Sequence, residues 1–122
     1  FLGLNSQEAA ISAYNSAIAA ESTYREPYLQ LAKVYLDKGY NNIAIGIVKD
    51  AMEKSYRHYT WLERDLSWKE EPYDILALAY SSIGDYKSAY TNAVKALMEN
   101  TSDERLLYNA KAIGDKLNEE DK

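Results

Sequence analysis

The 122-residue sequence contains no cysteine, two prolines, one histidine and one phenylalanine, and each scarcity removes a class of function. Without cysteine there is no disulfide framework and no thiolate for redox chemistry or metal ligation, which mildly favours a reducing compartment. The lone histidine, His58, has no second imidazole or thiolate with which to share a metal ion. No stretch approaches the roughly 18 apolar residues of a membrane span, and Phe1 to Leu4 is too short for a signal peptide. Positive charge is also short. Fourteen Lys and Arg face 19 Asp and Glu, giving a formal net charge of -5. A nucleic-acid footprint needs a clustered basic face, so this balance points to neutral or cationic partners instead. These absences predict a soluble, cytoplasmic chain with no metal, no cofactor, no membrane contact and no nucleic-acid partner. The start at Phe1 rather than Met suggests a fragment or a processed product.

What the sequence does have is helical periodicity. From Pro72 to Ala96, Tyr73, Leu76, Ala77 and Tyr80 mark one helical face. Gly84 breaks the pattern, Asp85 restarts it, and Tyr86, Ala89, Ala93 and Ala96 mark the face of a second helix. Earlier, Pro27 sits where a helix start tolerates proline, and Tyr28, Leu31, Ala32 and Tyr35 follow before Gly39. Ala44, Val48 and Ala51 then repeat the offsets of Ala89, Ala93 and Ala96. Glu26-Pro27-Tyr28 matches Glu71-Pro72-Tyr73 at a displacement of 45, and the agreement persists through the glycine and the small-residue triplet. Ala10, Tyr14 and Ala17 carry the second-helix offsets once more, 34 positions before Ala44, Val48 and Ala51. This is an internal repeat.

One domain, 1–122, follows from the length and the repeat. The pattern predicts a helix over 7–20 capped by Ser6, a hairpin over 26–54, an aromatic insert over 55–70, a hairpin over 71–100 and a closing helix over 103–118 capped by Asp103. The closing helix carries Leu106, Leu107, Ala110, Ile113 and Leu117 at helical spacing, with Lys111, Asp115 and Lys116 as its polar side. Glu119 to Lys122 reads as a solvated tail.

The residues at these offsets resemble tetratricopeptide repeats (TPR), whose 34-residue unit places an aromatic, a Leu, a small residue and a Tyr on a first helix, then Gly, a second aromatic and an Ala, large, Ala set on the second. Two departures stand out. Tyr56 and Thr101 occupy the place of the unit's closing proline, and Asn41 replaces the second aromatic in the earlier copy. The resemblance implies an all-α, antiparallel helix-hairpin, right-handed solenoid with a C-terminal capping helix and a concave face lined by the first helix of each hairpin. It implies a non-catalytic scaffold that binds a peptide or partner domain there. By matching offsets, the outward positions are Leu29, Lys33, Leu36 and Asp37, then Asp74, Leu78 and Ser81, then Arg105, Tyr108 and Asn109. Leu29 and Asp74 stand where the family's chaperone-binding members need Asn or Lys, which disfavours binding of a chaperone tail.

The displacement of 45 exceeds the 34-residue unit by 11, and the surplus falls in Ser55 to Glu70. That stretch holds Tyr56, Tyr59, Trp61, Trp68 and His58. Its tryptophans either fold back over an open helix end or contact a partner, with Tyr59, Trp61 and Trp68 as the contact residues. Arg25-Glu-Pro-Tyr28, this insert and Asp103-Glu104-Arg105-Leu106 together are similar to the repeat region that follows the catalytic domain in some bacterial family-two glycosyltransferases. That likeness implies an accessory role in acceptor positioning or assembly. The Asp-x-Asp element of those enzymes is absent from the first hundred residues.

Glu70, Glu71 and Asp74 offer carboxylates, but no nucleophile, metal set or phosphate loop stands beside them, and acidic residues in a first helical turn are explained by the helix dipole. The chain reads as a binding module and not as an enzyme. A third reading is self-association, since helix 7–20 has no first-helix partner and could pair with a second copy.

Overall fold

The computed structural model of the chain describes residues 2–56 and 68–120, with side chains from Ser6 onward. Among the described residues six helices follow one another without a strand: α1 (Leu2–Ala20), α2 (Arg25–Asp37), α3 (Asn41–Lys54), α4 (Glu71–Ser82), α5 (Tyr86–Glu99) and α6 (Glu104–Glu120). Each packs on the next, and α2 also touches α4, so successive hairpins stack through their first helices. This is an all-α helical-repeat solenoid, as the repeat predicts.

The two hairpins turn in the same way because the same atoms are available at both turns. After α2, Gly39 adopts φ +85, the left-handed region that a side chain disfavours. Its N–H donates to the Leu36 carbonyl at 3.0 Å, and the Tyr40 N–H reaches back to the Tyr35 carbonyl at 2.9 Å. After α4, Gly84 adopts φ +84, and Gly84 and Asp85 make the matching bonds to Ser81 at 3.1 Å and Tyr80 at 3.0 Å. This is the Schellman arrangement, which satisfies the carbonyls that a helix end leaves over. The copies differ one residue later. Asp85 caps α5 by accepting from the Ser88 N–H at 3.1 Å, whereas Tyr40 makes no such side-chain bond to α3.

Small residues then let the paired helices close. Ala44, Val48 and Ala51 on α3 are 0% exposed, and Ala89, Ala93 and Ala96 on α5 are 0% to 3% exposed. One apolar cluster joins Tyr28, Leu29 and Ala32 to Ala44, Val48, Ile75 and Leu76, so it spans the first hairpin and the start of the second. A second joins Ala77, Ala89 and Ala93 to Ala110 and Ile113 on α6. Interlocking of this kind makes each hairpin's apolar face depend on its neighbour.

Two boundary expectations meet different outcomes. Helix α1 begins at Leu2, so Ser6 lies inside the helix and does not cap it. Asp103 does cap α6, its Oδ1 accepting from the Arg105 N–H at 2.9 Å and the Leu106 N–H at 3.3 Å. Of the insert, Tyr59 and Trp61, with His58, lie outside the described residues.

Candidate binding surface

The first helices α2, α4 and α6 form a row, and charged pairs cross it as rungs. Lys33 Nζ on α2 meets Glu71 Oε2 on α4 at 2.5 Å. Arg105 on α6 takes Asp74 on α4 with both guanidinium arms, NH2 to Oδ2 at 2.8 Å and NH1 to Oδ1 at 3.3 Å. The Asp74 hydrogen bond raises the Arg105 pKa against the opposing effect of partial burial, so the guanidinium is held charged. Between hairpin and closing helix, Asn100 Nδ2 donates to Glu70 Oε2 at 3.0 Å.

The rungs give Glu71 a role beyond the helix-dipole explanation of its place in a first turn. Glu70 and Glu71 are 9% and 8% exposed, and Glu71 faces a lysine 38 residues away in sequence. Burial of a carboxylate is tolerable only with such a partner. No local pattern around Glu71 reveals that partner.

The structure sorts the expected groove residues into three groups. Lys33, Asp74 and Arg105 are brought together as rungs. Leu78 and Tyr108 stand open, 38% and 72% exposed, with Asp37 exposed at the end of α2 and Ser81 and Asn109 partly covered. Leu29 and Leu36 turn inward. Leu29 is 0% exposed within the first apolar cluster and cannot be offered to a partner, which corrects its assignment as an outward position. An apolar side chain at this offset goes into the seam between hairpins, whereas Asp74 at the same offset in the next copy is kept at the edge by Arg105. Leu36 packs against the same cluster while keeping part of its surface open.

Trp68 is held from below. The Arg25 guanidinium lies 3.7 Å from the centre of the Trp68 ring, and Arg25 Nε donates to Ser55 Oγ at 3.0 Å. Ser55 Oγ in turn donates to the Ala51 carbonyl. The Tyr56 N–H donates to the Thr23 carbonyl at 3.1 Å. Arg25 is itself 8% exposed, so the contact is a desolvated cation–π pair that closes the insert's base. The described part of the insert thus packs onto the repeats.

Among the described residues, no group of three or more His, Asp and Glu side chains is placed to hold a metal ion. No helix among them is long and apolar enough to cross a membrane.

Comparison with known proteins gives the fold directly. Neither the protein-family models nor the curated proteins contain a match. Among solved structures, the chain is similar to a thermophilic TPR protein of Thermus thermophilus, with a TM-score of 0.71 and 24% identity. The match covers 91% of this chain and 51% of that protein, so the chain spans about half the length of the structure it resembles. The likeness to a glycosyltransferase-associated region gains no support from these comparisons. Paired helices, glycine turns and buried small-residue triplets at matching offsets, together with this structural match, give the chain the tetratricopeptide-repeat fold.

Proposed function

We propose that the chain is a non-catalytic interaction module that takes a peptide or a partner domain along the row of first helices. The observation that carries this reading is the row itself: open apolar side chains, Leu78 and Tyr108, stand among charged groups that the rungs hold in fixed positions. Aromatic and aliphatic side chains exposed beside oriented charges supply both contact area and orientation to a bound peptide. Asp74 and Arg105 already neutralise each other, so they act as a polar rim and the affinity comes from Tyr108 and Leu78.

A displayed library of random peptides, selected on the purified chain, tests this. Selected peptides are expected to lose about tenfold or more in affinity on Tyr108→Ala or Leu78→Asp, a loss of at least ~1.4 kcal/mol, while the far-UV CD spectrum stays helical. Peptides whose affinity is unmoved by both substitutions would overturn the assignment of this face.

A further inference from the structure

The outer flank of α3 does not follow its counterpart on α5. Residues three and four apart share a helical face, so Ile43, Gly46 and Asp50 form one stripe on the side of α3 opposite the buried Val48. At the same offsets, 45 positions on, α5 carries Ser88, Thr91 and Lys95, polar residues suited to water. Ile43 is 49% exposed, and Gly46 is exposed in the middle of its helix. Glycine there weakens a helix, its φ is not positive, and a Cβ added to it would meet nothing within 4 Å. A single chain therefore has no use for this glycine, and Thr91 serves the same place on α5. A close helix crossing from outside does use it, with the open isoleucine as its neighbour.

Two further apolar residues extend the stripe at the hairpin turns. Tyr40 and Ile83 are 51% and 44% exposed, and with Asn42 and Ile43 they wall a cavity of about 300 Å³ at the start of α3. The charges along α3 are polarised. No side chain caps its start, which leaves the positive end of the helix dipole uncovered, and Lys38 stands beside it with Nζ 5.8 Å from the centre of the Tyr40 ring. Asp50 and the exposed Glu53 lie towards the other end. Asp50 meets Lys54 at 3.9 Å with both side chains more than half exposed, a pair worth little.

We propose that two copies of the chain pair through this flank, α3 against α3 in antiparallel sense about a two-fold axis at Gly46. A two-fold contact needs a self-complementary surface. With Gly46 on the axis, a residue some way after it in one copy faces the residue equally far before it in the other. Asp50 then meets Asn42, whose amide donates to the carboxylate without displacing Lys54. Glu53 comes beside Lys38 and the uncapped start of α3, and each Ile43 packs next to the other copy's glycine. Any helix could use the glycine. The antiparallel match of Asp50 and Glu53 with Asn42 and Lys38 is what favours a second copy. The flank belongs to an internal hairpin, so further helices stacked on α1 or α6 would leave it open. The row of first helices lies on the other side, so the pair presents two binding faces.

Sedimentation equilibrium of the purified chain tests this, in about 0.15 M salt to screen the repulsion between two copies of net charge -5. A reversible monomer–dimer equilibrium is expected at protein concentrations between about 10 μM and 1 mM. Gly46→Gln puts a good helix former into open space, and it is expected to raise the dimer dissociation constant about tenfold or more while the far-UV CD spectrum stays helical. Ile43→Ser, which copies the residue of α5, weakens the dimer as well, whereas Thr91→Gln on α5 leaves it unchanged. Glu53→Lys weakens association, and adding Lys38→Glu to the same chain restores it. A dimer indifferent to both Gly46→Gln and Ile43→Ser, or one that the paired charge change fails to restore, would overturn the proposal. A chain that stays monomeric to about 1 mM would overturn it too, and would leave the flank to a different polypeptide or to another part of this protein.

Discussion

The first and last described helices, α1 and α6, follow the same repeat but present different flanks. At one end α1 presents Ala10, Tyr14 and Ala17, the second-helix set, with Ala17 in the open. At the other, α6 buries Leu106, Ala110 and Ile113 against the last hairpin and turns Lys111 and Asp115 outward. Gly114 of α6 sits so close to α5 that a Cβ there would stand 3.0 Å from Tyr90 Cε1, and the tyrosine ring covers the place where the repeats carry Tyr35 and Tyr80. On α6, Lys111 stands at the offset that Ala32 and Ala77 hold in the hairpins, so a charge occupies a place where a helix would otherwise cross closely. On α1 the alanines of the second-helix set are kept.

The largest effect that would break this contrast is loss of the anchor of α6. Leu106 is 2% exposed, and Leu106→Ala is expected to cost about 2–5 kcal/mol in a urea unfolding titration. A cost below ~0.5 kcal/mol would mean that α6 is not integral to the core. A smaller effect separates the two helix starts. Asp103→Ala removes the acceptor of two backbone N–H groups and should cost about 1 kcal/mol, whereas Ser6→Ala, exposed inside α1, should change stability by less than ~0.5 kcal/mol. Equal costs would remove the distinction between a helix start that a side chain caps and a position inside a helix. The smallest effect concerns the bolt between α6 and α4. A double-mutant cycle of Asp74→Asn and Arg105→Gln should give a coupling of about 0.2–1 kcal/mol, discounted because the Arg105 side chain is 55% exposed. The coupling should shrink between low and high salt, and one that salt leaves unchanged would show that the pair is not screened as its exposure requires.

The hairpins are legible in the sequence because their determinants are local. Gly39 and Gly84 carry the positive φ of the turns, and the triplets Ala44, Val48, Ala51 and Ala89, Ala93, Ala96 mark where helices cross closely, so both can be read from spacing alone. The surface is legible only in part. Lys33, Asp74, Leu78, Arg105 and Tyr108 fall on the row of first helices, yet Leu29 at the same offset as Asp74 is buried. Helical spacing fixes a residue's direction around its own helix, whereas burial depends on what the neighbouring hairpin places opposite. The Lys33–Glu71 rung is invisible for the same reason: its partners come together only when hairpins stack. The start of α1 escapes the sequence because serine inside a helix and serine before one look alike there, and only the backbone of residues 2–5 distinguishes them.

Arg25 gives the chain a property that no single hairpin has. One guanidinium holds Ser55 on one side and the Trp68 ring on the other, so both margins of the extra stretch are pinned to a single helical residue. Loop closure grows only logarithmically with length, and doubling the intervening stretch would cost about 0.6 kcal/mol. Arg25 thus sets, with one side chain, both where the chain leaves α3 and where it enters α4, and its loss would release the two margins together.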